Sequence, residues 1–240
     1  MLRWCRNIFS GSITLERPGN DLDALQKQNG RLVAIHRFVF CFVGILVCSL
    51  SAADVNDFAC GSLQNAYGPF DYRSDKDKLA IVEAYHLTPN VINLTSPQSA
   101  GAVGGDLDYV LRAFPNHPIA LMSMLKLGEK EKVIKPKGAK YGVECYFQRA
   151  LRFRNDDTTV KMLYAAYLAK SGKKTEALAM LDEMVNAEEE TANFYYNIGL
   201  IYFELKDYDK SLSYAQRAYA LGFPLPGLRD KLKRAGKWKD

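Results

Sequence analysis

Two abutting blocks of 34 residues, Thr158 to Thr191 and Ala192 to Leu225, constrain this chain more than any other feature. In the second block, NFYYNIGLIYFELKDYDKSLSYAQRAYALGFP, the residues Tyr195, Ile198, Gly199 and Tyr202 make a large, apolar, small, aromatic series suited to a first helix. Ser211 and Ala218 supply two small positions on a second helix. Shifted back by 34, Ala165 takes the place of Gly199 and Ala177 that of Ser211, with Gly172 in the turn between helices. Met184 departs from the pattern at the second small position, which predicts a looser hairpin there. The physical unit is a helical hairpin whose small residues let its two helices approach closely. Its large residues are buried only when a neighbouring hairpin stacks against them.

A further shift of 34 reaches YGVECYFQRALRFRNDD, from Tyr141 to Asp157, with Phe147 and Ala150 at second-helix positions. The first helix of that degenerate unit is expected at His117 to Lys130, displaced by the Lys- and Pro-containing loop through Lys140. After the last block, PGLRDKLKRAGKW places Pro226 at a helix start with polar residues outside, the form of a capping helix. With these motifs, residues 117–225 resemble tetratricopeptide repeats, as two good matches (158–191 and 192–225) and one poor one (117–157). The resemblance implies an all-α fold: a short stack of tetratricopeptide helical hairpins, an irregular N-terminal segment at 54–116, and a capping helix and tail at 226–240. It also implies that first helices line a concave groove. By register the groove-facing positions are Met162, Ala166 and Ala169, then Asn193, Tyr196, Asn197, Leu200 and Phe203. Tyr and Phe beside Asn suit an extended peptide or a helix of another protein. The alternative for Tyr196 and Phe203 is packing under the capping helix. Tyr195 and Tyr202 are expected in the core between helices.

Residues 54–116 are richer in Gly, Pro and Asn, with an ordered Gly-Pro turn expected in CGSLQNAYGPFDYR. KLAIVEAYH, Lys78 to His86, fits a short helix with Leu79, Val82 and Ala84 inward, stopped before Pro89. Thr88 to Gly105 reads as loop. Asp106 to Phe114 reads as a helix with acids in its first turn and Leu107, Val110 and Leu111 on one face. YGPFDYR, HLTP, GGDLDYVLRAFPNHP and later GFPLPGLR resemble a group of exported bacterial tetratricopeptide proteins to which no activity is assigned. That resemblance implies a bacterial envelope location and no reaction.

Residues 1–53 read as a leader. Phe38 to Leu50 carries no charge over thirteen residues. That is too short for comfortable bilayer crossing and suits a signal-peptide core. Arg31 and Arg37 precede it, and Ser51 and Ala53 predict a cut before Asp54. The alternative is an uncleaved anchor, the sole membrane contact then expected, giving an inner-membrane rather than a periplasmic protein. The long polar stretch before it suggests a true start near Leu32 or Val33. Processing leaves Cys60 and Cys145, an even count in an oxidising compartment, and predicts a disulfide. Closing that loop contributes roughly 4 kcal/mol in the chain-entropy model. The net charge of +5 falls to +2 once the leader's six cations and three acids are set aside, too little for a dedicated nucleic-acid binder.

Groups able to carry chemistry are Asp71, Arg73, Glu83, His86, Asp106, Asp108 and His117. Glu83 and His86, three apart, can share a helix face. No G-x-S-x-G, H-E-x-x-H or P-loop occurs, and two isolated cysteines make no zinc site. Gly104-Gly105 before a helix could favour an anion, opposed by Asp106 and Asp108. The reading is therefore of no catalytic residues, metal or cofactor, and of another protein or peptide as partner, with an enzyme using this Asp- and His-containing segment as the alternative.

Overall fold

A computed structural model describes residues 60–185 and 191–238. The expected leader and its cleavage site lie outside these residues. Within them the protein is all-α, with ten helices and no strand. In chain order they are α1 (Lys76–His86), α2 (Pro89–Ile92), α3 (Val103–Ala113), α4 (Pro118–Glu131), α5 (Val143–Phe153), α6 (Thr158–Lys170), α7 (Lys174–Val185), α8 (Ala192–Glu204), α9 (Tyr208–Ala220) and α10 (Gly227–Arg234).

The repeat is visible in the helix starts. α6 and α8 begin 34 residues apart, as do α7 and α9. Each of these first helices opens on a side-chain cap: Asp157 accepts from the Val160 N–H at 3.1 Å, and Thr191 from the Phe194 N–H at 3.1 Å. Such caps satisfy donors that the helix itself cannot. The turns that follow use one backbone state, with Gly172 at φ +75° and Lys206, 34 residues on, at φ +61°.

Small residues set the helix spacing. Ala165, Ala177, Ser211 and Ala218 are fully buried. A Cβ on Gly199 would lie 2.7 Å from Leu228 and 3.3 Å from the Ser211 carbonyl oxygen, so any larger residue there would have to displace the Leu228 side chain. Ser211 Oγ donates to the Gly199 carbonyl at 2.8 Å. α8 with α9 is the most extensive helix pairing of the fold and α6 with α7 the next. Met184, at the position Ala218 holds, is itself buried, so the larger side chain is accommodated.

The N-terminal region is an irregular strap plus α1 to α3. Gly68, at φ +96°, brings its backbone against Ala113, and the Phe70 N–H donates to the Ala113 carbonyl at 2.8 Å. Cys60 and Cys145 form a disulfide with Cα atoms 5.1 Å apart. The buried Arg149 donates from Nη1 to the carbonyls of Cys60, Gly61 and Ser62 at 3.0, 3.1 and 2.7 Å. Two expectations need correction. The stretch from Thr88 includes the short helix α2, with Pro89 in its first turn, where its missing N–H costs nothing. Ala84 is exposed, because it sits about 200° around the helix from the buried Val82.

Candidate binding groove

A cavity of about 590 Å³ runs between α6 and α8, with Met122 of α4 and Lys231 of α10 also on its wall. α7 carries the chain back to the starting end, so α6 and α8 run in the same sense. One end of the cavity gathers their N-termini, with Thr158, Thr159 and Thr191. Its middle is apolar, from Met162, Leu163, Ala166, Phe194, Leu200 and Ile201. Lys170, Glu204 and Lys231 mark the far end, where Lys231 Nζ lies 3.4 Å from Glu204.

Of the residues expected to face the groove, Met162, Ala166, Asn193, Asn197 and Leu200 are on its wall. Ala169 is buried in the core instead. Tyr196 stacks on Phe223 with centroids 3.9 Å apart and meets Tyr219 edge-on. Phe203 meets Tyr208 edge-on, with the Lys231 ammonium 5.2 Å above its ring. Both side chains pack with Leu228 and Leu232 of α10. The division follows helix geometry. Asn193, Asn197, Leu200 and Glu204 form one stripe at spacings of four and three, while Tyr196 and Phe203 form the next stripe round, which α10 covers.

Sequence register also had the means to find Lys170 and Glu204, which occupy the same repeat position with opposite charge. Arg73 had no such signal, because it comes from outside the repeats. It reaches the groove rim through a buried polar network. Asp71 accepts from Arg73 Nε and Nη2 at 3.2 and 2.9 Å, from Asn116 at 2.7 Å and from Arg154 at 2.7 Å. Asn116 also donates to Asp157, the cap of α6, at 2.9 Å, and Arg73 Nη1 to Asp156 at 3.0 Å. The Arg73 guanidinium, acting against burial and helped by its own N–H, Asn116 and Arg154, holds the Asp71 carboxyl well below the usual carboxylate range.

The remaining candidates for chemistry do not converge. His86 Nδ1 lies 2.9 Å from Asp106, but Glu83 is turned to His117 Nε2 at 3.1 Å. Burial would raise the Asp106 carboxyl, yet the N–H groups of Gln98, Ser99 and Ala100, with His86, lower it below its ordinary value. It thereby fastens the loop before α3. Asp108 accepts from Tyr146 at 2.5 Å and from Arg112 at 2.8 Å. Gly104 and Gly105 are in contact with the backbone of Lys137 and Gly138, so that loop covers the start of α3. No set of three His, Cys, Asp or Glu side chains is placed to hold a metal among the described residues. Compared with known proteins, the chain matches no family model, no curated protein and no solved structure.

Proposed function

We propose that the chain is an exported protein of the tetratricopeptide-repeat kind, an interaction module that serves as adaptor or scaffold in the bacterial envelope. Its groove takes a peptide segment of another protein. The observation that carries this reading is the groove wall, where Thr159, Asn193 and Asn197 stand beside an apolar middle and the charged side chains lie toward its ends. Met162, Ala166 and Leu200 offer apolar contact, while Asn193, Asn197 and Thr159 offer hydrogen bonds to a peptide backbone. Asn197 donates to the Asn193 carbonyl at 3.0 Å, which leaves its amide oxygen as an acceptor. Export is supported by the uncharged run Phe38 to Leu50 behind Arg31 and Arg37, and by the Cys60–Cys145 disulfide, a bond suited to an oxidising compartment. The same apolar run, left uncleaved, favours a second reading: a membrane-anchored accessory subunit of an envelope transport or assembly complex.

A photo-reactive amino acid at position 162 or 200, introduced in native cells, tests the groove. One partner protein should be captured from both sites, and Leu200→Asp should lower that capture roughly thirty-fold or more, as loss of a central apolar contact does. Capture from position 196 with none from 162 or 200 would instead assign the contact to the α10 side.

A further inference from the structure

The loop between α4 and α5 has no part in the groove, and its composition is unlike the rest of the chain. Residues 132–142, KVIKPKGAKYG, hold four lysines and no acid, a net +4 in eleven residues. The whole of 54–240 carries only +2. Between the lysines stand two apolar residues turned to solvent, Val133 at 43% and Ile134 at 82% exposure. Isolated exposed apolar residues are ordinary, but a β-branched pair at the tip of a lysine-rich loop is not.

This tip is held in place. The Val133 N–H donates to the Gly128 carbonyl at 3.1 Å, and the Val143 N–H to the Ile134 carbonyl at 2.9 Å. Pro136 is buried, and the Ala139 N–H donates to its carbonyl at 3.1 Å. Gly138 lies so close to Gly105 that a Cβ would come within 2.9 Å of the Gly105 nitrogen. The nearby acids are engaged: Glu129 with Lys170 at 2.8 Å, and Glu131 with the Lys137 backbone N–H at 2.9 Å. Lys132, Lys135 and Lys137 are exposed and form no ion pair with any described residue. The backbone thus fixes an apolar tip in solvent beside three lysines that pair with no described residue.

We propose that this loop seats on the surface of a bilayer rich in anionic lipid, with Ile134 and Val133 entering the headgroup layer and the lysines over the phosphates. This is a membrane contact separate from any the leader makes. Lysine stems lie along an apolar layer while their heads stay in the polar one, which matches such a boundary. Nucleic acid is the other polyanion, but the tip offers no aromatic ring for base stacking and presents apolar side chains where a phosphate backbone would run. No helix among the described residues is long and apolar enough to cross a membrane, so this contact is peripheral.

The test is amide hydrogen exchange of the full chain with vesicles, read peptide by peptide so that the leader's own binding does not obscure the loop. Vesicles of phosphatidylglycerol with phosphatidylcholine should slow exchange across residues 130–142, and vesicles of phosphatidylcholine alone should not. Lys135→Gln with Lys137→Gln should weaken the effect roughly 25-fold, about fivefold for each surface lysine. Ile134→Ser should weaken it roughly tenfold by removing the apolar contact. Unchanged exchange in α8 and α9 confirms that each variant is folded. Equal slowing by neutral vesicles, slowing that survives both variants, or slowing confined to the basic helix α10 overturns the proposal. Slowing by duplex DNA or RNA and not by vesicles overturns it in favour of nucleic acid. The groove plays no part in this readout, so its failure and that of the loop are distinguishable.

Discussion

Residues 60–117 bury Asp71, Asp106, Asp108, Asn116 and His117, whereas from Thr158 onward Ser211 is the sole buried polar residue among those described. The first region is fastened by directed bonds: a disulfide, three carbonyls around Arg149, and carboxylates filled by N–H groups. The second is fastened by shape, with Gly199, Ala165 and Ala177 fixing how near the helices come. Directed bonds fail when chemistry removes one partner, and close packing fails when volume changes. The two regions therefore have separate vulnerabilities, although they share one apolar core.

The largest effect should follow loss of the disulfide. Cys60→Ser with Cys145→Ser should cost up to about 4 kcal/mol in denaturant unfolding, the chain-entropy limit for a loop of this size. Hydrogen exchange should then rise across Cys60 to Arg73 while α8 and α9 stay protected. If α8 and α9 loosen equally, the two regions are a single cooperative unit and the distinction fails. Next in size, Gly199→Val should cost about 2 kcal/mol by overpacking against Leu228, with α10 losing protection first and the disulfide region keeping its own. Ala in place of Gly should be milder.

The smallest effect is acidic. Burial, opposed by Glu83, lowers the His117 pKa below its ordinary 6.5, so the folded imidazole stays neutral while the unfolded one takes up a proton. Stability is full above pH 6.5 and falls as pH drops below it, because only the unfolded state gains that proton. Melting temperatures between pH 7 and pH 5 should show this loss in wild type and less of it in His117→Gln. A wild type whose midpoint is flat over that range would contradict a neutral buried His117.

Much of the stack was legible because a repeat prints the same physical demand twice. Gly199 over Ala165 and Ser211 over Ala177 announce a close helix pair without any knowledge of the partner helix. The disulfide followed from counting the cysteines that remain once the expected leader is set aside. Features that depend on unrelated segments meeting were not legible. Arg73 reaches the groove only because Asp71 and Asn116 bridge the strap to the cap of α6. Tyr196 holds the repeat position of Met162, yet Met162 faces the groove and Tyr196 faces α10. Register alone cannot separate them, since the difference is made by the helix that follows.

The two hairpin turns hold the same backbone state at unequal cost. The left-handed state that Gly172 adopts freely is forced on Lys206, against a preference of roughly 1 kcal/mol or more. Glycine at position 206 would carry no such burden. The last hairpin thus keeps an improvement in reserve.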